Sequence, residues 1–133
     1  MVPQRRRYAL ETLRIYTRAN VGRNLKQLDN ELRELNTDKK LEENLEILKK
    51  IFTIAKEEMS SCPSFDSLFH RIRTILIYEE VDLSEIVDKN AFENLKKKVG
   101  NKQAYSILAF GIIKYYIKKE RLPHPYIFIR YDP

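Results

Sequence analysis

Arginine is the residue type whose number and spacing in this chain could do chemistry. Residues 1–28 contain six arginines and a single lysine. Positions 7, 14 and 18 are seven and four residues apart, so in a helix these arginines share one face. A guanidinium group binds phosphate oxygens bidentately and stacks on nucleotide bases. The segment therefore predicts phosphate binding, and the alternative is a solvated helix face that pairs with the acidic middle of the chain.

Two lysine-rich segments extend the positive charge toward the C-terminus. Lys96, Lys97, Lys98 and Lys102 flank Gly100. Lys114 and Lys118 of the stretch 101–120, together with Arg121 directly after it, form its one polar strip that requires water or an anion. Tyr115 and Tyr116 could stack on unpaired bases, but their apolar surroundings favour the core. The candidate nucleic-acid-binding residues are Arg5, Arg6, Arg7, Arg14, Arg18, Arg23, Lys114, Lys118 and Arg121.

The charge of the chain is segregated along the sequence. The net charge is +6 overall, and it divides into +6 for residues 1–28, −7 for residues 29–95 and +7 for residues 96–133. A fold that brings the two basic ends together would create one positive surface. We predict binding of RNA or DNA through backbone phosphates with little sequence specificity, because nothing resembles a base-reading module.

Groups suited to catalysis or metal binding are few. Cys62 is the only cysteine, so neither an intrachain disulfide nor a thiolate cluster can form. His70 and His124 are the only histidines and lack a metal-binding spacing. No Gly-rich phosphate loop or nucleophile elbow occurs. The sequence therefore predicts a protein that is not an enzyme and that has no metal and no cofactor.

The element that must position these groups is the stretch 101–120, NKQAYSILAFGIIKYYIKKE, the most apolar in the chain. A helix that is apolar around most of its circumference must be covered on several sides. With 133 residues, three glycines and five prolines, the chain favours a single all-α domain over residues 1–133. We predict a compact bundle of five to six helices around this central C-terminal helix, with an extended tail over residues 121–133.

The remaining helices follow from apolar periodicity and capping residues. Residues 4–35 predict one long helix or two with a break near Gly22, and further helices are predicted over residues 39–59 and 65–79. Asn36-Thr37-Asp38 would cap the helix over 39–59, and Ser60 to Ser64 would separate it from the next. Asp82 or Ser84 would cap a short helix through Val87, and a helix from Asn90 to Lys98 would end at Gly100. Asn101 would then cap the central helix.

A leucine seam with 3-4-3 spacing lies on the first predicted helix. Its members are Val21, Leu25, Leu28, Leu32 and Leu35. This pattern is typical of a short coiled coil, so it predicts self-association or contact with a larger protein complex. No apolar run reaches the roughly 18 residues needed to span a bilayer, and no signal-peptide core is present at the N-terminus. We therefore expect a cytoplasmic protein that is not in a membrane.

Two stretches resemble a known family. They are Val99-Gly100-Asn101-Lys102 followed by Tyr105, Leu108, Phe110 and Tyr115, and the arginine-rich start QRRRYALETL. They are similar to the last long helix and the first helix of the small helical subunit of type III CRISPR effector complexes. The resemblance implies an all-helical subunit that stacks in several copies along larger subunits and lines a guide RNA–target RNA duplex without cleaving it. It transfers no individual residue role to this chain.

The sequence thus favours a non-enzymatic, basic helical protein that binds nucleic acid as an accessory subunit of a larger complex. The alternative is a helical protein–protein interaction adaptor or scaffold subunit without nucleic-acid binding. In that alternative, the leucine seam and the aromatic tail bind protein, and the charges only provide solubility.

Overall fold

The computed structural model describes residues 25–58 and 65–119, which form six α-helices and one 3₁₀ helix. The helices are α1 (Leu25–Leu35), α2 (Thr37–Glu43), α3 (Leu45–Glu58), α4 (Phe65–Ile77), α5 (Lys89–Val99) and α6 (Asn101–Lys119), and the 3₁₀ helix spans Leu83–Glu85. No strand occurs within these ranges. The predicted all-α bundle is confirmed.

Helix α6 is the centre of the bundle. Its residues from Ala104 to Ile113 are all buried, as are Tyr115, Tyr116 and Ile117. Helices α1, α2, α4 and α5 all pack against it. Helix α3 packs mainly against α4 and α2, and its Phe52 ring also contacts Tyr116 of α6. Because full burial of a large apolar side chain contributes about 1.5–3 kcal/mol, α6 contributes most to the core.

Helix α1 crosses α6 at Gly111. A Cβ atom at this position would overlap the side chain of Leu32, which is buried. One turn away, Lys114 of α6 contacts Asp29 of α1. From the first contact to the second, the residue number rises by three in α6 and falls by three in α1. The two helices are therefore antiparallel. The first residue of α1, Leu25, therefore lies at the same end of this helix pair as Lys119.

The leucine seam is used inside the chain rather than between chains. Leu28, Leu32 and Leu35 are at most 5% exposed and belong to the protein's own core. The prediction of self-association through these three leucines is therefore wrong. Helix α6 is apolar on most sides, and the three leucines pack against it within the same chain. Val21 and the side chain of Leu25 lie outside the described residues.

The helix predicted over residues 39–59 is divided in two. Asn44 has φ −140° and ψ 72°, and its Oδ1 accepts a hydrogen bond from the backbone N–H of Ile47 at 3.4 Å. An asparagine side chain that accepts from a backbone N–H in this way competes with the backbone hydrogen bonds of a continuous helix. The triplet Asn36-Thr37-Asp38 was predicted to supply a side-chain cap. Asn36 does occupy the cap position, in the left-handed conformation (φ 62°), but its side chain makes no cap hydrogen bond.

Capping explains the other boundaries. Asp82 caps the 3₁₀ helix by accepting from the N–H of Ser84 at 3.0 Å, as predicted. Helix α5 begins at Lys89, one residue before the predicted start at Asn90, and Asp88 caps it by accepting from the N–H of Asn90 at 3.0 Å. Gly100 ends α5 with φ 94°, which confirms the predicted stop because glycine tolerates positive φ.

Several predictions fall outside the described residues. They are the break at Gly22, the connection from Ser60 to Ser64, and the extended tail over residues 121–133. Among the helices that the structure describes, none has the length and apolar character needed to cross a membrane.

Candidate nucleic-acid interface

Two of the nine candidate binding residues, Lys114 and Lys118, belong to the described part of the chain, and both lie on the C-terminal half of α6. The other candidates lie outside the described residues. They are Arg5, Arg6, Arg7, Arg14, Arg18, Arg23 and Arg121. The structure therefore gives the surroundings of the C-terminal part of the predicted surface.

Lys114 and Lys118 line a cleft of about 590 Å³ between α1, the start of α2 and the C-terminal half of α6. Its lining residues are Asp29, Leu32, Arg33, Asn36, Asp38, Lys39, Lys114, Tyr115 and Lys118. Four of these side chains are cationic and two are acidic, so the cleft has a positive excess. An anionic ligand would meet lysine and arginine side chains from three helices.

Arg33 and Lys39 are the two cations of the cleft that the sequence analysis missed. Both lie in the acidic middle of the chain, where local charge gives no sign of a basic surface. Arg33 directly follows Leu32 of the leucine seam. This position next to a buried residue was the one sequence feature that could have indicated a place at the edge of the cleft. Both side chains are exposed, and neither forms an ion pair with a carboxylate in the part of the chain that the structure describes.

Lys114 already forms an ion pair within the protein. Its ammonium group contacts the carboxylate of Asp29, and its side chain is 25% exposed. Burial and the positive charge of Lys118 lower the pKa of Lys114. A phosphate group that approaches Lys114 must therefore compete with Asp29.

The wall of the cleft is held by Tyr115. Its hydroxyl donates to the carboxylate of Glu42, which also contacts Lys119. The ammonium of Lys119 lies 5.5 Å from the centre of the Tyr115 ring. Burial, together with the hydrogen bond to Glu42, raises the pKa of Tyr115. The phenol therefore keeps its proton at neutral pH and joins α2 to α6 as a hydrogen-bond donor.

The tyrosines next to the C-terminal lysines belong to the core, as predicted. Tyr115 is 4% exposed and Tyr116 is 1% exposed. The Tyr116 ring stacks on Phe52 with ring centres 3.9 Å apart. Neither ring presents a face on which an unpaired base could stack.

The second lysine cluster lies at the other end of α6. Lys102 and Lys118 are separated by 16 positions, which corresponds to about 24 Å along the helix axis. Lys96 is paired with Glu93 at 2.9 Å and lies 5.2 Å from the centre of the Phe92 ring. The lysines around Gly100 are therefore separate from the cleft, while the antiparallel packing of α1 brings Leu25 to the cleft's end of α6.

No metal site is evident in residues 25–58 and 65–119, because no group of three or more His, Cys, Asp and Glu side chains there could hold an ion. The lining of the cleft contains side chains suited to electrostatic contact with an anion.

No protein-family model matches the chain, and neither a curated protein nor a solved structure matches it.

Proposed function

We propose that this protein binds RNA or DNA through backbone phosphates, without catalysis, as an accessory subunit of a larger nucleoprotein complex. The observation that carries the proposal is the position of the cleft. Four cationic side chains line it, and the antiparallel packing of α1 and α6 puts Leu25 at the same end of the bundle. Arg23 precedes Leu25 by two residues, so the arginine-rich segment connects to the bundle at that end.

The distribution of charge supports this proposal. Residues 1–24 contain six arginines and one acidic residue, Glu11. The net charge of these 24 residues is +5, so the segment that leads into α1 is strongly basic. Lysine and arginine contacts to phosphates release condensed counterions from the nucleic acid, and this release favours binding at low salt.

The cleft suggests how the contact is made. Arg33 and Lys39 are exposed and reach a backbone phosphate directly, Lys118 adds a third exposed ammonium group, and Lys114 exchanges Asp29 for a phosphate oxygen. Because Tyr115 and Tyr116 are buried, base stacking does not come from these residues. The contacts are therefore to the sugar–phosphate backbone, and sequence preference is slight.

Fluorescence anisotropy with labelled single- and double-stranded RNA and DNA tests the proposal. We expect binding at low salt that weakens steeply between 50 and 200 mM salt. The double variant Lys39→Glu, Lys118→Glu should weaken binding at least tenfold. The matched control is Lys50→Glu, Lys89→Glu, which makes the same charge change on exposed side chains of α3 and α5 outside the cleft and should stay within about twofold of the wild type.

The alternative, a protein–protein adaptor, has one observation in its favour. Ile77 is 39% exposed and Tyr78 is 74% exposed at the end of α4. If none of the four nucleic acids binds at low salt while self-association or a protein partner is readily detected, the adaptor replaces the nucleic-acid proposal. Equal weakening by the cleft variant and its control would remove the cleft from the interface.

A further inference from the structure

We infer that His70, Arg73 and Lys102 form a second anion site, specific for a phosphoryl group, on α4 and the first turns of α6. This site is separate from the cleft and does not rest on the proposed function. Ser106, where Arg73 makes contact, lies eight positions before Lys114, or about 12 Å along the axis of α6.

The guanidinium of Arg73 is held by neutral groups. Its Nη1 donates to the hydroxyl of Ser106 at 3.1 Å, and its Nη2 lies 3.2 Å from Nδ1 of His70. The guanidinium also lies 5.1 Å from the centre of the Phe69 ring. Arg73 is partly buried, and among the described residues no carboxylate contacts it.

Four other partly buried cations among the described residues have a carboxylate partner, whereas Lys40 instead donates to the backbone carbonyl of Ser84 at 3.0 Å. Lys114 is paired with Asp29, and Lys96 with Glu93. Removing a charged group from water is unfavourable unless an opposite charge and hydrogen bonds replace the lost hydration. Arg73 has the hydrogen bonds without the opposite charge, so a bound anion would complete its surroundings.

Several N–H groups remain for such an anion. A guanidinium carries five N–H donors and no acceptor, and Ser106 and His70 use one each, so three are left. Because the guanidinium can only donate, Nδ1 of His70 must be the acceptor and Nε2 must hold the ring proton. His70 is exposed, so its Nε2–H is a further donor.

Ser106 orients the site and connects it to Lys102. The Ser106 hydroxyl donates to the backbone carbonyl of Lys102 at 3.0 Å while it accepts from Arg73. Residues four positions apart lie on the same side of a helix, so Lys102 is on the side of α6 that faces Arg73. Lys102 is exposed, and no carboxylate pairs with it within the described ranges.

A phosphoryl group fits this set of donors better than a carboxylate. The guanidinium, the imidazole N–H and the ammonium come from three different residues, and each can bind one oxygen. A phosphoryl group has enough oxygens for all three, and its planar pairing with a guanidinium is favourable. The ligand is therefore a phosphate ester, either a small monoester or a phosphodiester of nucleic acid.

Titration of the ¹⁵N-labelled full chain with inorganic phosphate at constant ionic strength tests the site by NMR. We expect saturable shifts of the Ser106 amide and of the Arg73 Nε–H. Arg73→Gln should weaken phosphate binding at least tenfold. Arg71→Gln is the matched control, because it removes the same charge from an exposed position of the same helix, and it should change the affinity less than twofold. Equal weakening by both variants would show a diffuse charge effect and overturn the site.

Two further measurements keep the inference falsifiable and identify the source of the phosphate. Lys102→Gln changes an exposed side chain and should weaken phosphate binding about threefold even if Arg73→Gln fails to fold. Titrations with ribose 5-phosphate and with a short oligothymidylate separate monoester from phosphodiester binding. A failure to shift Ser106 and Arg73 with all three ligands overturns the site, and it leaves the cleft variants as the independent test of nucleic-acid binding.

Discussion

Tyr115 shows how one side chain joins two elements at the cleft. Its ring is buried against the bundle, while its hydroxyl reaches the Glu42 carboxylate on α2. The apolar pattern of the stretch 101–120 predicted that Tyr115 lies in the core. Glu42 was not predictable as its partner, because 73 positions separate the two residues and Glu42 has the pattern of a solvated helix face.

Tyr115→Phe should lower the free energy of unfolding by about 1 kcal/mol at pH 8. A hydrogen bond to a charged group contributes about 1.5–3 kcal/mol, and the exposure of Glu42 reduces this value. Urea unfolding followed by circular dichroism measures the change. Tyr78→Phe is the control, since Tyr78 is 74% exposed, and it should leave the stability unchanged. An equal loss in both variants would contradict the role of the Glu42 contact.

The same pair of variants gives a pH dependence with a defined sign. Burial and the Glu42 hydrogen bond raise the pKa of Tyr115 above its ordinary value of 10.0. The folded state therefore holds this proton more tightly than the unfolded state, and the stabilisation is complete below pH 10. It decreases as the pH rises above 10 toward the folded-state pKa. The difference between wild type and Tyr115→Phe should accordingly shrink between pH 9 and pH 11.

At the scale of elements, the close contact of α1 with α6 depends on Gly111. A side chain at this position would overlap Leu32, whose own side chain is 5% exposed. The pairing also fixes the direction of α1, and with it the end of the bundle at which the cleft lies. Gly111 was visible in the sequence as a member of the apolar stretch, but the residue that approaches it was not.

Gly111→Ala should destabilise the protein by about 1–2 kcal/mol. Overpacking a core contact costs about 1–3 kcal/mol, and the better helix propensity of alanine returns up to about 1 kcal/mol. In a Leu32→Ala background the overlap is removed, so the same Gly111→Ala substitution should become neutral or stabilising. Thermal or urea unfolding of the four proteins in this cycle measures the coupling. A cost that is independent of the residue at position 32 would contradict the contact.

The elements that could be predicted are those determined by residues close to one another in the sequence. The central helix followed from its apolar circumference, and Gly100 from the need for a residue that tolerates positive φ at the end of α5. The division at Asn44 was missed because the apolar pattern continues through it, and the decisive contact is a weak side-chain hydrogen bond to Ile47. The periodicity of apolar residues indicates which face of a helix is buried. It does not indicate where a side chain will hydrogen-bond to the backbone and interrupt the helix.

At the scale of the whole molecule, the two lysine-rich segments that the structure describes lie toward opposite ends of α6. The lysines around Gly100 lie at the end where α6 begins, and the cleft lies toward the end where α6 finishes. The expectation of one positive surface from both ends of the chain could be formed from charge segregation alone. Which lysines take part depends on tertiary packing, because the antiparallel arrangement of α1 and α6 is not encoded in the charge pattern.

A salt titration can test whether the arginine-rich segment and the cleft act on one nucleic acid. Each lost phosphate contact reduces the slope of log K against log salt by about 0.9 for a DNA duplex. If every substituted residue contacts a phosphate, Arg14→Gln with Arg18→Gln should lower the slope by about 2. Lys39→Gln with Lys118→Gln should lower it by a similar amount, and the combined variant by about 4.

Additivity of the two losses is the informative result, because it requires both groups to contact phosphates in the same complex. Lys50→Gln with Lys89→Gln serves as the charge-matched control and should leave the slope unchanged. Circular dichroism confirms that each variant keeps its helicity. If the combined variant loses no more slope than either pair alone, the two groups do not share one bound nucleic acid. The cleft would then be a separate site from the segment that leads into α1.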